Sequence, residues 1–255
     1  MTARRAATAV SLGLALGLGA CTSFYEIPIT TPIQPKLDVS AFRRVLVAGF
    51  ITGGSEDVDA NLETVRLLRS QLRTKSDLTV IEADVLNLAD KAAPASETVK
   101  TEPSDQQEAD RRIRNQRDLE PFEHVFADVA FWKKLGEEYQ EPLIVTGTVL
   151  FTPHSRSGMV ERAQEVVDAF GRRRVVPVRT YMERKGFILN PKFIFIDGRT
   201  GTTLYSESFR EEVLYSAQQN TPALSSYFEL MDRLIPSFLS TLSAQKIRGT
   251  RVLLK

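Results

Sequence analysis

Two short runs in this chain are apolar on both alternating sides: "VLVAGF", Val45–Phe50, and "LIVTGTVLF", Ile144 with its neighbours from Leu143 to Phe151. A strand with one face in water alternates polar and apolar residues, so runs like these read as strands buried on both faces. After the first run, Val58, Leu62, Val65, Leu68 and Leu72 recur at helical spacing, and Leu78–Ile81 supplies another strand. The opening unit is therefore strand, helix, strand. A second amphipathic helix is predicted over Val125–Tyr139, with Val125, Val129, Trp132, Leu135 and Tyr139 on one side. "GFILNPKFIFIDGRTGTTLYSESF" reads as two strands joined by a tight turn. The stretch Leu224–Leu242 is a strongly patterned helix that Pro236 should kink or split in two. "TRVLLK" closes the sequence as an edge strand or a tail. The fold class is α/β, a single domain over residues 42–255 with polar insertions at 91–123 and 152–185. With 255 residues, 42% of them hydrophobic and 25% charged, the chain can bury a core of that kind.

The first twenty residues stand apart from this pattern. Arg4 and Arg5 precede an uncharged run, Ala6–Ala20, that falls short of the roughly 20 residues a bilayer span needs and has the layout of a secretory signal. It ends in "LGAC", which resembles the lipobox of bacterial lipoproteins. The resemblance implies a lipoprotein signal peptide at 1–20, lipobox residues Leu18, Gly19 and Ala20, and an acylated, palmitate-bearing Cys21 as the first mature residue. Cys21 is the single cysteine, so an oxidising periplasm offers it no disulfide partner. Residues 21–41, with Pro28, Pro32 and Pro35, read as a flexible, extended tether. Thr22 follows the cysteine where inner-membrane sorting in enterobacteria uses Asp, which gives an outer-membrane, periplasm-facing expectation. Cleavage removes two arginines and no acid, leaving 31 basic against 32 acidic residues. A basic, nucleic-acid-binding balance is absent.

Four features invite a chemical reading. Gly49, Gly53, Gly54 and Ser55 follow the first strand as a phosphate-binding loop would, but Ser55 stands where that motif places its lysine, and Glu56, Asp57 and Asp59 come next. Acids already satisfy the helix N-terminus and repel a triphosphate, so no nucleotide is expected. His124 and His154 are the only histidines and neither has a ligand at metal-binding spacing, and no G-x-S-x-G elbow exists. No metal, cofactor or catalytic set is assigned. "DGRTG" reads as a hairpin turn, with Asp197 bonding back to the chain, Gly198 or Gly201 at positive φ, and Thr200 between them. Finally, Arg172, Arg173, Arg174 and Arg179, with Arg184 and Lys185, make 151–185 the most basic stretch. Interleaved with Val175, Val176, Val178 and Tyr181, they suit an anionic surface such as lipid head groups or an acidic partner. The competing reading is a solvated strand whose arginines pair with Glu161, Glu165 and Asp168.

The order of three motifs carries a family resemblance. Val45, Val47 and Phe50 end the first strand; Thr146 and Gly147 form a "TG" pair in the second; Asp197, Thr200, Gly201 and Leu204 fit a D-x-x-T-G-x-x-L turn. Together with the lipobox they resemble the lipoprotein group that includes the curli secretion lipoprotein CsgG, the penicillin-binding-protein activator LpoB and the amino-terminal domain of TolB. The resemblance implies an α/β sandwich with a mixed β-sheet, no active site, and contact with envelope proteins or assembly into a homo-oligomeric ring. The leading expectation is a non-enzymatic adaptor or assembly factor of a cell-envelope complex. A ring-forming export channel of the curli-secretion type is the alternative, with a cell-wall hydrolase and a carrier of a small apolar ligand as further classes. The channel's lipid-facing strands should alternate apolar and polar over about 9 to 11 positions, whereas Ser155–Arg174 scatters charges over both alternating faces.

Overall fold

In the computed structural model the described residues are 24–92 and 113–254, apart from 168, 217 and 220. They divide into a compact α/β unit, residues 35–243, and a second unit built from the two ends of the chain. The second unit is a ribbon of β1 (Phe24–Ile33) antiparallel to β8 (Gln245–Leu254), in register from Tyr25 opposite Leu253 to Ile33 opposite Gln245. The tether segment is thus extended over these ten residues and paired with the closing strand. Pro28 and Pro32 lie four residues apart, hence on the same edge, and a two-stranded ribbon leaves each strand one edge where a missing N–H costs nothing.

The α/β unit is organised by β2 (Arg44–Gly54) and β4 (Leu143–Val167), parallel neighbours in the sheet. The sheet runs β3 (Thr79–Val80), β2, β4, β5 (Arg173–Asp197), β6 (Thr203–Ser208), and β7 (Glu211–Ser216) also pairs with β5. The β2 contacts are parallel and all β5 contacts antiparallel, so the sheet is mixed. One face packs on α1 (Ala60–Lys75) and α4 (Ala223–Leu242), with Val47, Phe50, Val145, Phe193 and Phe195 meeting Leu68, Leu72, Leu234 and Phe238. The other carries Leu46, Ile51, Ile144, Leu150 and Ile194 against α2 (Leu88–Ala92), a 3₁₀ segment (Gln116–Ala127) and α3 (Val129–Glu138). This double cover is why the first two strands are apolar on both sides.

Local chemistry moves some boundaries from those the sequence pattern predicts. β2 continues through Gly53 and Gly54, and the helix opens only at Ala60, where the Asp59 carboxylate accepts the Leu62 N–H at 3.0 Å. Asp128 does the same for Phe131, at 3.0 Å, so the second helix starts at Val129 rather than Val125 and leaves Val129 exposed while Trp132 and Leu135 are buried. Pro236 does not split the last helix, which runs continuously to Leu242. Pro236 and Asp232, whose carbonyl loses its usual donor, both lie on the exposed side, where water can take that carbonyl. Of the insertion expected at 91–123, residues 93–112 lie outside the described residues, as do Leu18, Gly19, Ala20 and Cys21. Residues 152–167 and 173–185 are the continuation of β4 and β5.

Candidate docking arm

Each of the four sequence features has a definite place. In the glycine segment the Gly54 N–H donates to the Ile113 carbonyl at 2.8 Å and the Ser55 N–H to the Phe151 carbonyl at 2.6 Å. A phosphate cradle works by presenting free backbone N–H groups; here the chain itself occupies two of them. His124 Nδ1 lies 2.7 Å from the Pro121 carbonyl and His154 Nε2 3.6 Å from Glu212. Ser155 and His154 are consecutive on β4 and project to opposite faces. Among the described residues no group of three His, Cys, Asp or Glu side chains could hold a metal ion. An open cleft of about 560 Å³ lies at the foot of the β4–β5 hairpin, lined by His154, Lys185, Phe187, Tyr215 and Thr221 among others.

The turn between β5 and β6 is closed by the Gly201 N–H donating to the Asp197 carbonyl at 2.7 Å, the Asp197 N–H donating to the Thr202 carbonyl at 2.9 Å, and the Asp197 side chain accepting the Arg199 N–H at 2.9 Å. Gly201 takes the left-handed conformation, φ 76°, and the Thr200 and Thr202 hydroxyls meet at 2.7 Å. Gly198 donates to the Pro142 carbonyl, 3.0 Å away, tying the turn to the start of β4. These residues organise the sheet edge.

The basic stretch belongs to the most distinctive element, the hairpin of β4 and β5, each 25 residues long. Its inner part is core. β2 accompanies β4 only to Phe151, and β7 accompanies β5 only from Arg184 to Leu189. From Ser157 opposite Glu183 to Val167 opposite Arg173, eleven rungs of the ladder continue as a two-stranded arm. At about 3.3 Å per residue it is roughly 36 Å long. Large apolar side chains stay exposed along it: Met159 and Tyr181 at 64% each, Val175 at 70%, and Phe170 in the turn at 83%.

Alternation along the strands separates the arginines. Odd-numbered positions share one face, on which Glu161 stands opposite Arg179, Glu165 lies 3.6 Å from Arg173, and Glu183 lies 3.4 Å from Lys185. Met159 stands opposite Tyr181 on that face. Even-numbered positions form the other face, which holds Arg174 but neither Arg173 nor Arg179. Arg172 sits in the turn, with its guanidinium 5.4 Å from the centre of the Phe170 ring. The run of arginines is continuous in sequence and divided in space. Reading it as one patch missed Arg156 and Arg162, which join Arg174 and Arg184 on the even face. Placing the hairpin turn at Gly171 would have found them, because the turn fixes the register and the register fixes the faces.

The fold and the arm together define the class: a mixed α/β domain with helices on both faces of its sheet and one projecting β-hairpin. No family model matches the sequence, and no curated protein matches it. The solved structures similar to the chain at low identity include the following three. One is the lipoprotein GNA1162 from Neisseria meningitidis, 13% identical, with 77% of this chain and 97% of that chain covered and a TM-score of 0.35. The others are dodecamers of PelC from Paraburkholderia phytofirmans in two crystal forms. A single-substitution variant is 15% identical, with 87% of this chain and 100% of that one covered and a TM-score of 0.37. The second form is 11% identical, with 85% and 99% covered and a TM-score of 0.37.

Proposed function

We propose that this protein is a lipid-anchored, non-enzymatic component of the bacterial cell envelope, an adaptor or assembly factor that holds a protein partner with its β4–β5 arm. The observation that carries the reading is the arm itself. Eleven rungs of ladder extend past the last strand that braces them and keep Met159, Val175, Tyr181 and Phe170 in solvent. Holding an isolated ribbon of this length with its apolar side chains in water stabilises nothing in the folded chain, and exposed apolar surface of that kind marks an interaction site. The sequence adds the anchor: Cys21 after Leu18, Gly19 and Ala20, on the periplasmic side of the outer membrane. Membership of the group that includes CsgG, LpoB and the amino-terminal domain of TolB, and assembly into a homo-oligomer, belong to the same proposal.

The strands of the arm have the length of a membrane-barrel strand, but an export channel needs one lipid-facing side free of charge. The odd face carries Glu161, Glu165 and Arg179 and the even face Arg162, so neither side qualifies. The adaptor reading is preferred on that ground.

A photo-crosslinking amino acid placed at Met159 or Tyr181, in cells expressing the protein from its own promoter, tests the proposal. It should yield a discrete high-mass adduct, while the same group at Leu224, exposed on α4, should not. Adducts at Leu224 with none at Met159 and Tyr181 would contradict it.

A further inference from the structure

The two faces of the arm differ in kind. Along the odd face each carboxylate has a basic group opposite it or within 4 Å, so that face is close to neutral. Along the even face, from the Arg156–Arg184 rung to the Val166–Arg174 rung, no position is acidic. Arg156, Arg162 and Arg184 make no ion pair with a carboxylate among the described residues, and the Arg184 Nε donates to the Met182 sulfur at 3.4 Å. Between these arginines lie Val160, Val176, Val178 and Met182. Val160, Val178 and Met182 are only partly exposed, so they already shelter one another as an apolar strip flanked by cations.

A strand surface meant for water mixes both signs of charge, as the odd face does. A surface of one sign with β-branched and thioether side chains between the charges suits a partner that is anionic and apolar within a few ångströms of depth. We propose that the even face of the arm lies against an anionic phospholipid surface, its arginines on the phosphates and its valines and Met182 at the head-group boundary. Same-face residues repeat every two positions, about 6.8 Å along a strand. A bilayer offers phosphates wherever those positions fall, whereas an acidic protein would have to match Arg156, Arg162 and Arg184 individually. This inference does not depend on the protein partner: with the even face on lipid, Met159 and Tyr181 on the odd face point away from it.

The test uses the chain from residue 21 onward with Cys21→Ser, which keeps every described element and removes both the apolar leader and any acyl chain. Co-sedimentation at physiological salt should show binding to phosphatidylglycerol–phosphatidylcholine vesicles and none to phosphatidylcholine alone. R156E/R162E/R184E should weaken that binding by at least about a hundredfold, at roughly fivefold for each cation lost from a charged bilayer surface before the repulsion of the added carboxylates. R173E/R179E/K185E makes the same charge change on the odd face and should keep binding within a few-fold, because screening over about 8 Å confines the attraction to the side in contact. Thermal unfolding by circular dichroism verifies that both variants are folded. As a measurement that needs no charge reversal, Val160→Trp should give a blue-shifted emission on adding the anionic vesicles and Met159→Trp should not. Equal loss in both triple variants, undiminished binding of the even-face variant, a shift at Met159 alone, or no vesicle binding by the parent chain would each overturn the inference.

Discussion

Thr146 and Gly147 show why a two-residue motif sits in the middle of a buried strand. The Thr146 hydroxyl, fully buried, donates to the Gly49 carbonyl at 2.8 Å, joining β4 to β2 where the ladder between them shifts register. Gly147 has φ 144°, and a Cβ there would stand 1.8 Å from the Lys192 carbonyl oxygen of β5. Gly147→Ala should therefore destabilise the domain by about 2 to 4 kcal/mol, read from a urea unfolding midpoint. Tyr227 makes a comparable link on the helical side, its buried hydroxyl against Thr64 Oγ1 and 3.3 Å from the Ala60 carbonyl. Tyr227→Phe should cost about 1 kcal/mol. Burial, foremost, pushes that hydroxyl far above its usual range, with the Thr64 bond opposing. The sign follows: the folded state holds the proton more tightly than the unfolded state, so the contribution is complete below about pH 10 and is lost as pH rises beyond it. Alkaline unfolding measured from pH 9 upward should be less steep in Tyr227→Phe than in the parent protein. Identities such as Thr146 and Gly147 were legible in the sequence as a motif, but their contacts were not, because the partners lie 97 residues earlier and 45 residues later in the chain.

At the scale of elements, legibility followed the strength of the hydrophobic pattern. Val45–Phe50 and Leu143–Phe151 are apolar on both sides and are covered on both sides; the stripe Val65, Leu68, Leu72 faces the core from α1. The pattern fades at polar caps, so the start of α3 fell four residues early in the sequence reading, and only the Asp128 bond to Phe131 marks the true start. It fails altogether over 152–185, where solvent on both faces removes the alternation by which a strand is recognised. A charged, valine-containing segment there reads as an insertion, although it holds the outer halves of the two longest strands among the described residues. The register of the arm can be tested directly, since Cys21 is the single cysteine. In the Cys21→Ser background, the pairs Met159→Cys/Tyr181→Cys and Val160→Cys/Thr180→Cys stand directly opposite and should form disulfides on mild oxidation. Val160→Cys/Tyr181→Cys places the thiols on opposite faces and should stay reduced in a non-reducing gel. Oxidation of that last pair in preference to the other two would shift the register by one residue and set even positions of one strand on the face of odd positions of the other.

For the whole molecule, the proposed function assigns anchoring and holding to different parts of the chain. The proposed anchor is tested at the leader: Cys21→Ala should abolish acyl labelling, because no second thiol can take the lipid. The proposed holding element, the arm, stands outside both core clusters, so removing it leaves the domain's buried contacts intact. The most direct measurement of that division is a chain in which residues 157–183 are replaced by an Asn-Gly turn joining Arg156 to Arg184, a change a two-residue hairpin connection accommodates. Expressed in cells, it should remain membrane-bound and melt within a few degrees of the parent while its native-gel complex with the partner disappears. A truncated protein that melts normally and still migrates in the full-sized complex would contradict the proposal that the β4–β5 arm holds the partner.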